Sequence, residues 1–329
     1  MDIQARICKP LKALAPLLAL VFVGQAGATE EDSFFSSYEG VTSQRDCFAA
    51  PFDTADNVRA ILDEFSSFPQ RVLDNLFSER FFAMRQQQND CLRFSYEVDG
   101  VDVDGFMLRA KDAPDDSPVL VYHRGGNGDY GSVNFVMLYN RFMGMTEHGY
   151  TIIGSNLRRE DEFGGADVKD SRAILSIVAG MDNVDHERVA LWGESRGASQ
   201  MMQVAKGRDD IHALVFAVGS ADHEQSLVTR PEMLQVYQHR VPDFAANREE
   251  ELRKRSAIHW LDDIPEVPIL ILHGEQDEQV NVEQAHILAA GLDESGHKYE
   301  LKIYPDQGHN LRGEAITDKF NWLDTVLDR

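Results

Sequence analysis

Short, continuously apolar segments alternate with amphipathic segments over most of the chain after residue 90. A continuous apolar run of three to five residues is typical of a strand buried on both faces of a parallel sheet, and apolar residues at helical spacing predict a helix. The predicted central strands are Val119–Tyr122, Thr151–Ile153, Val189–Trp192, Leu214–Val218, Ile269–Leu272 and Glu300–Tyr304. The predicted helices are Phe135–His148, Val168–Met181, Ser195–Lys206, Val282–Gly291 and Ala315–Leu327. This alternation predicts an α/β fold with a mostly parallel central sheet and helices on both faces.

The residues before this core have a different pattern. Apolar positions at helical spacing after Thr54, and again between Pro69 and Gln88, predict a helical extension over residues 29–90, in which residues 30–44 are polar and predicted to be loose. The segment Leu92–Arg109, with a turn at Asp99-Gly100, predicts a hairpin that opens a catalytic domain over residues 91–329.

Residues 221–265 separate two core strands and are longer than an ordinary connection in such folds. We expect them to form a small helical cap or rim. Within this segment, the charged run Arg248–Arg255 predicts a solvated helical face. The candidates for contact with a substrate are Arg230, Tyr237, His239 and Arg240.

The chain begins with the layout of a secretory signal peptide over residues 1–28. Three basic residues precede the apolar stretch Leu14–Val23, and Ala26-Gly27-Ala28 offers a small-residue cleavage site. A membrane anchor is the alternative, but the stretch is shorter than the ~20 residues that span a bilayer. We therefore expect a periplasmic or secreted protein that is not membrane-bound after cleavage.

The net charge and the cysteine content bear on nucleic-acid binding, on a disulfide and on metal binding. The chain has 32 Lys and Arg against 55 Asp and Glu, a net charge of −23, so its surface repels nucleic acid. Beyond the signal peptide, two cysteines remain, Cys47 and Cys91, and in an exported chain they suggest one disulfide; two buried free thiols are the alternative. Neither cysteine has neighbouring ligands at metal spacing, and we expect no metal and no cofactor.

The candidate chemistry begins at Gly193-Glu194-Ser195-Arg196-Gly197, which follows a predicted strand and precedes a predicted helix. In that context, G-x-S-x-G is typical of a nucleophile elbow, where a sharp turn exposes the serine hydroxyl. Asp277 and His309 each follow a later predicted strand, and the order Ser195, Asp277, His309 is the chain order of α/β-hydrolase triads. His309 would accept the serine proton and Asp277 would orient its ring. His123 and His273, at other strand ends, are interpreted as structural.

An acyl-transfer site also needs two N–H donors for the developing oxyanion. The backbone N–H of Arg196, directly after the nucleophile, is the first candidate. The glycine-rich loop after the first central strand offers Gly125 or Gly126 as the second, and the sequence does not decide between them. A phosphate-binding loop is disfavoured, because no Lys-Ser/Thr pair and no G-x-G-x-x-G spacing is present.

From about Arg93 to the end, the chain resembles the catalytic domain of the prolyl oligopeptidase (S9) family of serine peptidases. The resemblance is carried by residues 193–197, by His273–Val280, by Gly308-His309 and, upstream, by 156–159 and 162–170. It implies an α/β-hydrolase fold and cleavage of short peptides through an acyl-enzyme. Many members also carry a β-propeller that filters substrates by size, and roughly 60 residues between the signal peptide and the core are too few to form one.

These observations predict a serine hydrolase with a small peptide or ester substrate. A serine peptidase is the first interpretation, because the resemblance implies it. A carboxylesterase on the same framework is the alternative, since pocket shape, not the triad, recognises the leaving group. A non-catalytic binding protein is a third class, which the intact triad disfavours. The sequence leaves the oligomeric state open.

Overall fold

The computed structural model describes residues 40–66 and 69–328. The predicted signal peptide, residues 1–28, lies outside the described residues. By its internal contacts the chain divides into two compact units, of which the smaller contains residues 47–87 and the larger contains 40–46 and 88–328 in the described part. Within these ranges, no helix is both long enough and apolar enough to span a bilayer.

The smaller unit is helical. Its helices are α1 (Ala55–Phe65), α2 (Gln70–Leu76) and α3 (Glu79–Gln88). Helix α1 begins where Thr54 predicts it, because the Thr54 hydroxyl accepts a hydrogen bond from the Asn57 N–H at 3.1 Å. Phe48 and Phe82 pack edge-to-face with ring centroids 5.4 Å apart, which gives the unit an aromatic core.

The larger unit is built on one sheet, which contains nine strands among the described residues in the order β1-β2-β3-β5-β4-β6-β7-β8-β9. Strands β5, β4, β6, β7, β8 and β9 pair in parallel, and β1, β2 and β3 add antiparallel pairs at one edge. The strands are β1 (Val41–Asp46), β2 (Asn89–Val98), β3 (Val101–Ala110), β4 (Ser117–His123), β5 (Thr151–Ser155), β6 (Val184–Glu194), β7 (Ala213–Ala217), β8 (Ile269–Gly274) and β9 (Tyr299–Tyr304). The predicted mostly parallel sheet is confirmed.

Helices connect and flank these strands. They are α4 (Asp167–Ala179), α5 (Arg196–Ala205), α6 (His223–Thr229), α7 (Met233–Arg240), α8 (Phe244–Arg255), α9 (Glu283–Ser295) and α10 (Glu314–Val326). Every residue of β4, β5, β7 and β8 is buried, which explains why their sequences are apolar without alternation. The core contains aliphatic residues of β4, β6, β7 and β8 packed with Met201 and Met202 of α5.

Three sequence expectations need correction. Residues 29–90 are not wholly helical, because Val41–Asp46 forms the edge strand β1, paired antiparallel with β2. The predicted helix Phe135–His148 is not continuous: it divides into one α-turn, a π-helical turn at Leu138–Phe142 and a 3₁₀ turn at Met145–His148. The run Arg248–Arg255 is not wholly solvated, because Arg255 is buried and donates to the Phe163 carbonyl at 2.8 Å.

Candidate active site

Ser195 lies at the turn between β6 and α5. Its backbone has φ 56° and ψ −127°, a conformation that non-glycine residues rarely adopt. Its N–H donates to the carbonyl of Ala217 at 2.9 Å, which fixes the turn to β7. The turn brings the chain so close to β4 that only glycine fits at residue 197, where an added Cβ would lie 2.0 Å from the carbonyl oxygen of His123. This is the strand, turn and helix geometry that the glycine spacing predicts.

Asp277 and His309 meet beyond the ends of β8 and β9. The His309 Nδ1 lies 2.8 Å from Asp277 Oδ2. The other carboxylate oxygen, Oδ1, accepts the backbone N–H groups of Gln279 at 2.8 Å and Val280 at 2.9 Å. The carboxylate is therefore held in one orientation, and the His309 ring is held by it.

The electrostatics of this pair favour the ionised aspartate. Burial opposes ionisation of Asp277, but hydrogen bonds from His273 and His309 and from the Val280 N–H outweigh it and hold the pKa of Asp277 well below its usual range. An ionised Asp277 can stabilise a protonated His309 ring. The pair can thus support proton transfer by His309.

The two other strand-end histidines lie beneath the site. His273 is fully buried, with Nε2 at 2.9 Å from the Val280 carbonyl oxygen and 3.4 Å from Asp277 Oδ2. His123 is also buried, and burial lowers the pKa of its ring to about 3. Neither ring is among the described residues that line the cavity at Ser195. Their positions agree with the structural interpretation.

A cavity of about 410 Å³ brings the candidate residues together. Ser195, Arg196, His309, Gly125 and Gly126 all line it. Among the described residues, no hydrogen bond joins Ser195 Oγ to His309, which is common where no substrate aligns the two groups. Ser195 and His309 therefore line the same cavity.

The glycine loop after β4 lies directly beside the serine. A Cβ added at Gly125 would lie 3.1 Å from Ser195 Cβ and 3.7 Å from Ser195 Oγ. Gly126 has φ +74°, and a Cβ there would lie 2.1 Å from the Tyr130 carbonyl oxygen, so only glycine fits. Arg196 is the first residue of α5, and its backbone N–H has no acceptor within the helix. All three N–H groups stay candidates for the oxyanion site.

The Arg196 side chain forms a buried cluster that the sequence analysis missed. Its guanidinium lies 3.0 Å from Asp161 and also pairs with Asp167, and both carboxylates are fully buried. Arg196 Nη1 donates to the Gly126 carbonyl at 2.9 Å, and Asp161 accepts the N–H of Gly128. The cluster therefore joins the residue after Ser195 to the glycine loop. Its members are far apart in the sequence, and no local spacing signals the pairing.

A second ion pair, also missed, lies on the wall of the cavity. Arg141 Nη2 pairs with Glu194 Oε1, and the Tyr122 hydroxyl donates to Glu194 Oε2 at 3.1 Å. The Arg141 guanidinium packs over the rings of Tyr122 and Trp192 at 5.9 and 5.5 Å. These contacts hold the Glu194 side chain, next to Ser195 in the sequence, and neutralise its charge.

The 221–265 segment forms α6, α7 and α8 and contributes to the cavity wall, as the predicted cap would. Of the four cap candidates, Arg230 and Tyr237 line the cavity, while His239 and Arg240 are not among its described lining residues. Tyr237 is buried and its hydroxyl lies 2.7 Å from His223 Nδ1, and burial lowers the pKa of His223 to about 3. Arg240 is placed instead 3.6 Å from Asp161, beside the Arg196 cluster.

Both of the remaining cysteines, Cys47 and Cys91, are disulfide-bonded, so the predicted disulfide is present. The alternative of two buried free thiols is thereby excluded.

Comparison with known proteins agrees with this geometry. The profile of the prolyl oligopeptidase family matches residues 132–329, which include Ser195, Asp277 and His309. An uncharacterized peptidase, YuxL, from Bacillus subtilis is 24% identical over 242 residues, which cover 65% of this chain and 34% of YuxL. Inactive dipeptidyl peptidase 10 from Rattus norvegicus is 20% identical over 164 residues, covering 50% of this chain and 20% of that protein. The chain thus spans about a third or less of these two relatives.

Among solved structures, an acylaminoacyl peptidase from Pyrococcus horikoshii superposes with a TM-score of 0.60 at 18% identity, covering 76% of this chain and 43% of that one. This likeness, together with the family match, confirms the predicted α/β-hydrolase fold.

Proposed function

Because this chain belongs to the prolyl oligopeptidase family, we propose that it is a serine hydrolase that cleaves short peptides through an acyl-enzyme. The observation that supports the proposal best is the pairing of His309 with an ionised Asp277 in the cavity where the elbow places Ser195. This arrangement contains every reacting group that an acyl transfer requires.

Each residue has a defined role in the proposed reaction. Ser195 Oγ attacks the substrate carbonyl while His309 Nε2 accepts its proton, and Asp277 stabilises the charged ring. The N–H of Arg196 and that of Gly125 or Gly126 donate to the oxyanion. His309 then protonates the leaving group, and a water molecule releases the acyl group by the same steps in reverse. No metal or cofactor takes part in these steps.

We further propose that the protein is exported, and that residues 1–28 are its signal peptide. The disulfide-bonded state of Cys47 and Cys91 supports this, because disulfides persist mainly in oxidising compartments.

The direct test is labelling with a fluorophosphonate, which reacts with activated serines. The wild-type protein should be labelled at Ser195, and Ser195→Ala should abolish the label. Ser226→Ala is the matched control, because Ser226 lines the same cavity outside the elbow. Absence of labelling in the folded wild-type protein would refute the proposal and favour a non-catalytic role, as in the relative that is named inactive.

Substrate class is tested with paired peptide amides and carboxylic esters that share one acyl group. Turnover of the amides at a rate comparable to the esters supports a peptidase. Turnover of esters alone assigns the protein to the carboxylesterase alternative, with the same triad.

A further inference from the structure

The charges that line the Ser195 cavity differ in sign from those of the chain as a whole. The chain has a net charge of −23, whereas the described lining residues include three arginines, one glutamate and no aspartate or lysine. Two of the arginines are neutralised by their surroundings: Arg141 by Glu194, and Arg196 by Asp161 and Asp167. The third, Arg230, also has a carboxylate partner, but that partner, Glu232, is largely exposed and does not line the cavity.

Arg230 lies directly after α6 and is held from two sides. Its Nη1 donates to the Gln279 carbonyl at 3.2 Å, in the loop that contains Asp277. Its Nε donates to Glu232 at 3.0 Å, but the Glu232 side chain is 65% exposed and does not line the cavity. Nη2 has no hydrogen-bond partner among the described residues. The guanidinium is thus positioned by two contacts while one of its nitrogens stays available.

The lining residues that are close to Arg230 in the sequence, or that belong to the loop it contacts, carry no charge. They are Ser226, Thr229, Met233, Gln279, Val280 and Asn281. A guanidinium fixed in this way is suited to a carboxylate, because its planar N–H groups match the two oxygens of that anion.

We propose that the substrate of Ser195 carries a carboxylate, which binds Arg230 within the cavity. The inference rests on the proposed hydrolase function and specifies its substrate class. The carboxylate can come from an acidic side chain in the acyl group or from the free terminal carboxylate of the leaving fragment. Both sources present the same chemistry to Arg230, and they are separated by experiment.

The experiment compares kcat/KM for two matched substrate pairs. One pair has Glu or Gln directly before the scissile bond, and the other has a free or an amidated C-terminus. The wild-type enzyme should favour the acidic member of one pair by roughly 10- to 100-fold, the range expected for hydrogen bonds to a charged group. The pair that shows the preference identifies the source of the carboxylate.

Arg230→Gln should remove most of this preference, measured within the variant as the ratio of kcat/KM for the acidic member to kcat/KM for the neutral member, so that any general effect of losing the contact with Gln279 cancels. Arg230→Lys retains the charge without the planar fork, and should keep part of the preference. Glu232→Gln is the matched control, because it removes the charge outside the cavity while the amide oxygen of glutamine can still accept the hydrogen bond from Arg230 Nε. It should keep the full preference.

The outcomes separate this inference from the proposed function. Turnover of neutral and acidic members at equal rates, or a preference that survives Arg230→Gln, overturns the inference while the hydrolase function stands. If no peptide is turned over, acidic and neutral products are compared as protectants of Ser195 against fluorophosphonate. Stronger protection by the acid, lost in Arg230→Gln, supports the inference, and equal protection overturns it. Failure of the wild-type protein to be labelled overturns both.

Discussion

Replacing Arg196 by methionine tests whether the buried Arg196 cluster stabilises the fold. The Arg196 side chain is 4% exposed, and it is the cation that lies within 3.0 Å of Asp161 and pairs with Asp167. Methionine fills a similar volume but leaves two buried carboxylates without this cation. Breaking a buried pair in this way costs about 3–5 kcal/mol. For a chain of 329 residues, at an unfolding entropy of about 2.1 cal/mol/K per residue, the loss corresponds to a fall in Tm of roughly 4–8 °C.

The assay is thermal unfolding followed by circular dichroism, with Lys169→Met as the matched control. Lys169 pairs with Asp99 at 2.7 Å, but both side chains are more than half exposed. An exposed pair contributes about 0–1 kcal/mol, so the control should change Tm by less than about 2 °C.

The pH dependence of the Tm difference between the wild type and Arg196→Met gives a second, independent readout. Burial opposes ionisation of Asp167, but the Arg196 charge and three backbone N–H groups outweigh it and lower the pKa of Asp167. In the wild type, this carboxylate therefore adds stability above its unfolded pKa, and that stability is lost as pH falls through the folded pKa. In the variant the Arg196 charge is absent, so the pKa of Asp167 rises and protonation relieves the burial cost at a higher pH. The Tm difference should narrow as the pH falls from neutral toward the usual range of carboxylate pKa values.

Two results would refute this reasoning. One is a Tm loss no larger than that of the Lys169→Met control. The other is a Tm difference that stays constant or widens on acidification, since unpaired buried carboxylates must become less costly once they are protonated.

Three further predictions address the site and its support. Ser195→Ala, His309→Ala and the double variant should each lower kcat/KM by a similar factor, roughly 10⁶, because triad members act as a unit; losses that multiply in the double variant would contradict the assignment. Gly197→Ala should lower the free energy of unfolding, measured in urea, by about 3 kcal/mol or more, because the added Cβ would lie 2.0 Å from the His123 carbonyl oxygen. A loss below about 1 kcal/mol would contradict this prediction. Burial lowers the pKa of Lys319, so Lys319→Met should raise Tm at neutral pH. The gain in Tm should shrink as the pH rises toward the usual lysine pKa. An unchanged Tm would contradict this prediction.

The sequence predicted the parts of the fold whose signal is local. Strands β4, β7 and β8 are buried along their whole length, so each is visible as an uninterrupted apolar run. The elbow was visible because its glycines must follow one strand and precede one helix. Asp277 and His309 were visible because each lies in the short loop after a strand, Asp277 after β8 and His309 after β9.

The missed features depend on contacts between distant residues or on weak local signals. Strand β1 has mostly exposed positions at the sheet edge, so its sequence lacks an apolar run. The Arg196 cluster and the Arg141–Glu194 pair join residues tens of positions apart. Lys319 is buried 3.1 Å from the Trp192 ring centroid, although its position within α10 gave no sign of burial. Such placements follow from tertiary packing, which periodicity does not report.

At Ser195, the backbone conformation lowers thermal stability, whereas the proposed reaction requires the side chain of the same residue. A conformation of this kind costs about 1–3 kcal/mol, and glycine would adopt it at lower cost. A directed-evolution screen that scored only survival after heating would therefore enrich changes at this position that relax the turn and remove the nucleophile. Any programme to make this enzyme more robust has to score hydrolysis alongside stability, and gains should be sought away from the elbow.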